Sequence, residues 1–346
     1  GGQTHTGAAK TSLTNEDITW ETTTATNIGV DASFLSSRLT ISADLYQRRT
    51  EDILLDLPIP GIVGRGAPTQ NAGVVENNGW ELSVNWRERA ANEGDFSYSI
   101  DFNLSDNRNE VVDLVGTGPY ISWMWATIEG QPIGVLYGYE AVGLFQSQQE
   151  IDNHAFQHPQ THPGDVKWKD QNEDGIINQD DKVPMGSELP RYQFGLNMSA
   201  SYGNFDASVF FQGVGKQDRY VILGLAEGPI WENYTTEWHL DYWTPDNPDA
   251  RVPAPYLYQN QSTANPNSWW VLDAKYVKLR NLQVGYTLPE TATNWLGVQR
   301  MRVYLSGKNL WQYTPMELGL DPEYPGPVGD YYPQTKSISL GTNISF

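Results

Sequence analysis

The clearest chemistry in the chain is carried by Asp170-Gln171-Asn172-Glu173-Asp174-Gly175-Ile176-Ile177-Asn178-Gln179-Asp180-Asp181. Oxygen-bearing side chains recur here at the first, third, fifth, ninth and twelfth positions, the spacing of an EF-hand-like calcium loop. A hard cation such as Ca²⁺ wants several oxygens around one centre. Asp170, Asn172, Asp174 and Asn178 supply them from alternate positions, and the Ile176 carbonyl adds another. Gly175 permits the sharp turn at position six, and Asp181 closes the set. Asp in place of the usual Glu at position twelve shortens the reach, so the expected affinity is modest. The competing reading is an acidic, Asn- and Gly-rich solvated loop. The spacing favours a structural Ca²⁺ that pins a long loop.

Other candidates are weaker. His154, His158 and His162 are spaced by four, but Pro159 and Pro163 break any helix that would align them as a zinc site. No nucleophile elbow, His-Glu-x-x-His or phosphate loop is present, so no residue is assigned a catalytic role and the expectation is a non-enzyme. Aromatic-rich segments around Trp123–Trp125, Trp231–Trp243 and Trp269–Trp270 have two readings, stacking platforms for sugars or peptide side chains and loop-packing cores. No substrate-contacting residue is assigned.

Composition limits the partners. Acids outnumber bases 42 to 22 for a net charge of −20, which argues against nucleic acid as a ligand. With no cysteine, disulfide and thiolate–metal scaffolds are excluded. A mean hydropathy of −0.52 looks soluble, and no run approaches the ~18 apolar residues of a membrane helix. A membrane β-barrel passes both tests, because alternation dilutes its apolar residues. No targeting signal is visible at the N-terminus.

Alternation is in fact almost continuous. Ile338, Leu340, Thr342, Ile344 and Phe346 share one face, and Ser339, Gly341, Asn343 and Ser345 the other. The same period of two runs through Ile28–Phe34, Leu39–Leu45, Trp80–Trp86, Phe96–Leu104, Tyr192–Tyr202, Phe205–Phe211, Leu282–Leu288 and Met301–Leu305. A phase slip after Leu279 predicts a bulge near Arg280–Asn281. About nine strands result, joined by links that alternate strictly between short and long, the long ones covering about 47–79, 105–191, 212–275 and 306–337. Such a layout places tight turns on the periplasmic side and large loops outside. The alternative is a secreted, calcium-dependent, carbohydrate-binding β-sandwich. Three features favour the barrel: aromatics at the ends of the apolar faces, a polar opposite face in every strand, and a terminal aromatic closing an amphipathic strand. An odd set of nine strands has open edges that lipid does not tolerate, so the chain reads as the C-terminal portion of a larger barrel.

Several blocks then resemble one family. Pro163-Gly164-Asp165-Val166-Lys167-Trp168 ahead of the calcium loop, Leu189-Pro190-Arg191-Tyr192-Gln193-Phe194-Gly195-Leu196, and Tyr242-Trp243-Thr244-Pro245-Asp246-Asn247-Pro248 are similar to the SusC/RagA family of TonB-linked outer-membrane proteins. So are Tyr276-Val277-Lys278-Leu279-Arg280-Asn281-Leu282, Gly307-Lys308-Asn309-Leu310, Leu320-Asp321-Pro322-Glu323 and the terminal Asn343-Ile344-Ser345-Phe346. The resemblance implies a transmembrane antiparallel β-barrel, one part of a 22-stranded barrel plugged by an N-terminal domain. It further implies TonB-dependent import of oligosaccharides or oligopeptides across the outer membrane of a Gram-negative, Bacteroidetes-like cell. A SusD-like surface lipoprotein would serve as lid. No plug or TonB box lies within these residues, so the plug and the remaining strands are expected elsewhere, on the same protein or on a second chain of a nicked barrel.

Overall fold

The computed structural model describes residues 15, 17–56, 68–71, 73–92, 94–222, 237–256, 264–316, 319–324, 326, 332 and 334–346. Nine long strands form one antiparallel sheet: β1 (Thr22–Phe34), β2 (Leu39–Glu51), β3 (Val74–Glu88), β4 (Ser97–Asp113), β5 (Arg191–Tyr202), β6 (Phe205–Lys216), β7 (Tyr276–Thr287), β8 (Arg300–Tyr313) and β9 (Ser337–Ser345). Each pairs with its sequence neighbour, so the sheet is a simple meander with β1 and β9 at its edges.

Register sorts the side chains as the alternation predicts. Val84 faces Phe102, which faces Leu196, which faces Phe211; one row below, Trp86, Ile100, Met198 and Val209 align in the same way. Next below, on the opposite face, Ser99 and Ser199 pair with their hydroxyls 2.8 Å apart, and two residues further on Ser97 and Ser201 do the same at 2.7 Å. One face of the sheet is therefore apolar and the other a field of hydroxyls, amides and carboxylates. On the polar face the end of the Tyr46 ring fills the space beside Gly79, and its hydroxyl donates to Asn107 Oδ1 two strands away at 3.3 Å. Only a residue without Cβ leaves room for that ring.

The apolar face is not covered. Ile28 is 68% exposed, Ile338 71% and Leu340 76%, values opposite to those of a water-soluble core. A sandwich would lay a second sheet over these side chains. None of the described residues does so, and the sandwich alternative is set aside. No helix among the described residues is long and apolar enough to cross a membrane.

Links at one end of the sheet are short. Gly203 and Asn204 join β5 to β6, and residues 35–38 join β1 to β2 with Leu35, Ser36 and Ser37 all left-handed. The β7–β8 link carries a short helix, Glu290–Leu296. At the other end the links are long, and the buried cores lie there. Met124 and Leu136 from the link after β4 pack with Tyr220 and Trp270 from the link after β6 and Met316 from the link after β8. A second core joins Tyr139, Leu144, Val166, Trp168 and Ile177 to Trp243 and Ala250. A third seats Ile53 against Val75, Val111 and Leu114 at the tops of β3 and β4.

Strand limits differ from expectation at one place above all. β4 runs on to Asp113, so the longest link begins at residue 114 rather than 105. Positions 105–110 are polar on both faces and show no alternation to read. The expected bulge is present: register between β6 and β7, and between β7 and β8, skips Arg280.

Candidate functional site

The segment 170–181 leaves the short strand Val166–Trp168, which pairs with Ala141–Leu144. Trp168 stacks on Tyr139 with ring centroids 4.3 Å apart and planes 9° from parallel. This pair gives the loop a rigid base. Burial of Ile177 in the same core, and Phe156 bonding to Gly175 O and Ile177 N–H at 2.8 and 2.9 Å, fix its far side. Gln171 Nε2 donates to Glu140 at 2.8 Å; bonds from Gln171 and Lys169 hold the Glu140 carboxyl below the usual range.

Within the loop each predicted side-chain ligand accepts a hydrogen bond from the loop's own backbone. Asp170 Oδ2 accepts the Gly175 N–H at 2.8 Å, Asn172 Oδ1 the Asp174 N–H at 3.0 Å, and Asp174 Oδ1 the Ile176 N–H at 2.9 Å. Asn178 Oδ1 accepts from Asp180 at 2.8 Å. Asp181 is fully buried, with Oδ1 on the Gln171 N–H at 2.8 Å and Oδ2 on the Asn178 N–H at 2.7 Å. The Ile176 carbonyl faces the Asn178 amide at 3.4 Å. Left-handed backbone at Glu173 and Gly175 closes the turn. Asp170 Oδ1 is buried and has no hydrogen-bond partner. Such an atom is rare in a folded protein and marks a place where a cation or water belongs. Among the described residues, however, no three carboxylate or histidine side chains gather as a complete shell.

The three histidines do not converge. His154 Nδ1 bonds the Ala155 carbonyl at 2.9 Å, His158 Nδ1 accepts the Gln160 N–H at 3.1 Å, and His162 Nδ1 bonds the Gln160 carbonyl at 2.6 Å. The tryptophan segments serve mostly as packing: Trp243 and Trp270 are buried, whereas Trp123 is exposed and meets Tyr220 edge-on at 6.4 Å. Trp231 lies outside the described residues.

One charged cluster was not anticipated. Lys278 Nζ, with only 4% of its side chain exposed, sits 2.5 Å from both Asp321 Oδ1 and Glu323 Oε2. Arg280 also pairs with Glu323 and reaches Gln212 Oε1 at 3.0 Å, while the Tyr276 hydroxyl donates to Glu323 Oε1 at 2.9 Å. The cluster ties the β8–β9 link to the top of β7. Burial pushes the Glu323 carboxyl up, but the bonds from Lys278 and Tyr276 outweigh it and leave it below the usual range. Two bases spaced by two in β7 and two acids spaced by two in the link were the available signal.

This arrangement holds no nucleophile–base pair. What it can do is line a polar passage and carry a packed loop assembly above it. A family model for the β-barrel of TonB-dependent receptor-like proteins matches residues 1–310. Among curated proteins, TonB-dependent receptor P3 of Formosa agariphila is 32% identical over all of this chain and 36% of its own length. TonB-dependent receptor SusC of Bacteroides thetaiotaomicron is 27% identical over all of this chain and 34% of its length. The chain thus spans about a third of the length of the curated relatives it matches. A structure of the RagAB peptide transporter superposes with a TM-score of 0.78 at 24% identity, covering 96% of this chain and 36% of that one. The RagAB peptide importer in its closed-closed state gives 0.77 at 25%, with 96% and 36% covered. The relatives are receptors and transporters rather than enzymes, as the lack of a catalytic motif led one to expect. An uncovered apolar face, a polar opposite face, strictly alternating link lengths and these matches agree: the chain belongs to the TonB-dependent receptor β-barrel family, the SusC/RagA-like outer-membrane proteins.

Proposed function

We propose that this chain forms part of the wall and outer loops of an importer that moves oligosaccharides or oligopeptides across the outer membrane, driven through TonB. The observation that carries the reading is the two-faced nine-stranded sheet with a packed loop assembly at one end only. Its apolar face suits lipid and its hydroxyl-lined face suits a wet lumen. The open edges of β1 and β9 call for neighbouring strands, supplied by the rest of the barrel, with an N-terminal plug inside it. No covalent step is involved: substrate binds beneath a SusD-like surface lipoprotein resting on the long loops, and movement of the plug opens the path. The peptide importers among the structural neighbours and SusC among the relatives support this reading.

The loop 170–181 is proposed to hold a structural Ca²⁺, through Asp170, Asn172, Asp174, Asn178, Asp181 and the Ile176 carbonyl. Support comes from the spacing and from the partnerless Asp170 Oδ1. When bound, the ion would supply a positive charge that gathers these oxygens and stiffens the longest link.

The test is deletion and complementation in the native host, scored by growth on defined oligosaccharides and oligopeptides, with affinity purification of the whole receptor. Loss of growth on one class, with a surface lipoprotein co-purifying, is the expected result. Unchanged growth on every substrate and a receptor purified without a lipoprotein would overturn the proposal.

A further inference from the structure

The outer face of the wall is notched between β4 and β7. On β5 and β6 the outward pairs run Leu196–Phe211, Met198–Val209, Ala200–Ala207 and Tyr202–Phe205 from the loop end to the short-link end. Three of these pairs carry larger side chains, and the Ala200–Ala207 pair carries two methyls. Tyr98 lies beside Ala200 on β4, and Val284 beside Ala207 on β7. The two methyls leave a hollow of about 380 Å³, lined by Tyr98, Ile100, Met198, Ala200, Ala207 and Val209. It reaches from Phe96 on one side to Leu282 on the other, and no charged side chain lines it.

The rim of the notch is held in place. Phe96 stacks on Tyr98 with ring centroids 5.6 Å apart and planes 28° from parallel, and the Tyr98 hydroxyl accepts from Trp86 Nε1 at 3.1 Å. Below the alanines, Phe205 and Tyr286 meet with centroids 4.7 Å apart. Height follows from register. Leu104–Phe194 is the uppermost apolar pair of β4 and β5 on this face, and Tyr202–Phe205 is the lowest pair of β5 and β6, beside the turn at Gly203. The alanine pair stands one step above that lowest pair, so the notch sits in the short-link half of the apolar band.

Carbon atoms that face an unfilled gap forfeit their dispersion contacts, so a hollow of this kind is stabilised by whatever apolar material can enter it. At this height the surrounding material is hydrocarbon. A flexible methylene chain fits a floor of two methyls between larger apolar side chains. We propose that the notch seats one acyl chain of a phospholipid in the inner leaflet of the outer membrane. The inference rests on the orientation argued under the proposed function, with the short links on the periplasmic side.

The experiment uses the whole receptor, purified in mild detergent and reconstituted as single copies in bilayer discs with a phospholipid whose acyl chain carries a photoactivatable diazirine. Labelled peptides are read by mass spectrometry after illumination. Adducts are expected to concentrate on peptides covering 96–100 and 198–209. Ala200→Phe and, separately, Ala207→Leu fill the notch and are expected to cut that yield about fivefold, through the carbon contacts the tail loses. Each new side chain enters the notch rather than a packed core, and unboiled gels check that the barrel is folded. Leu340→Phe, on the same face of β9, is expected to leave the yield on those peptides unchanged. Equal yield in all variants, or label spread evenly along the apolar face, overturns the proposal and leaves the barrel reading intact. Label that is present in single-copy discs but lost from these peptides in densely loaded vesicles marks a second copy as the occupant and overturns the lipid assignment. Absence of label from every outward position of the wall overturns both.

Discussion

Lys278→Met tests the charged clamp between β7 and the β8–β9 link. The lysine is 4% exposed at its side chain, and its partners Asp321 and Glu323 are 10% and 23% exposed, so water screens the pair poorly. Loss of one member of a buried ion pair typically costs ~3–5 kcal/mol, because the other is left desolvated. Arg280 still reaches Glu323, which places the cost near the lower end. At ~1.4 kcal/mol per decade, about 3 kcal/mol raises local opening roughly a hundredfold. Hydrogen exchange of the whole receptor should show that loss of protection in peptides covering 319–324, with the lower halves of β8 and β9 unchanged. Acid should act through the same groups. Glu323 is held below its ordinary value, so its stabilising share is complete above the usual glutamate range and is lost as pH falls through the lowered folded value. Protection is therefore expected to be flat from neutral pH down to the ordinary glutamate range and to fall below it, a fall that Lys278→Met should blunt. A change under threefold, or one spread evenly over the barrel, would refute the clamp.

Three further outcomes follow from single contacts. Asp181→Asn leaves one of the two backbone N–H groups at Gln171 and Asn178 facing an amide NH₂, a cost of ~1–3 kcal/mol; limited proteolysis should cut 170–181 faster in the variant, and calcium chelation should have the same effect on the parent. Leu340→Lys puts a charge on the uncovered apolar face and should cost ~2–4 kcal/mol, read as a lower folded fraction on unboiled gels, whereas Ser339→Lys on the polar face is tolerated. Gly79→Ala drives a methyl into the Tyr46 ring and the Asp106 carbonyl, costing ~1–3 kcal/mol, and the same change made with Tyr46→Ala should cost less than the sum of the two.

The wall was legible because its signal is local and repeated. Leu196, Met198 and Ala200 announce a face whatever they pair with, and the slip at Arg280 even located the bulge. β4 was cut short because Ser105, Asp106, Asn107, Arg108, Asn109 and Glu110 put polar side chains on both faces of the strand and leave no alternation to read. Loop packing was illegible for another reason. Met124, Tyr220, Trp270 and Met316 meet from three separate links, and no spacing in the chain reports which distant segments share a core. The spacing at 170–181 is visible because its oxygen-bearing side chains fall within twelve consecutive residues. Lys278 and Asp321 carried the same period-two hint on two segments, but pairing them needed the fold.

Because this chain has no cysteine, a thiol placed in it is unique among its 346 residues. The most direct test puts cysteine in turn at Leu305, Ser306, Ser339 and Leu340, two cross-strand pairs of β8 and β9 on opposite faces. Outer membranes carrying the whole receptor are then exposed to a lipid-soluble and to a water-soluble maleimide. A barrel wall predicts that Leu305→Cys and Leu340→Cys react only with the lipid-soluble reagent, and Ser306→Cys and Ser339→Cys with the water-soluble one. Equal labelling of all four by the water-soluble reagent would contradict the account.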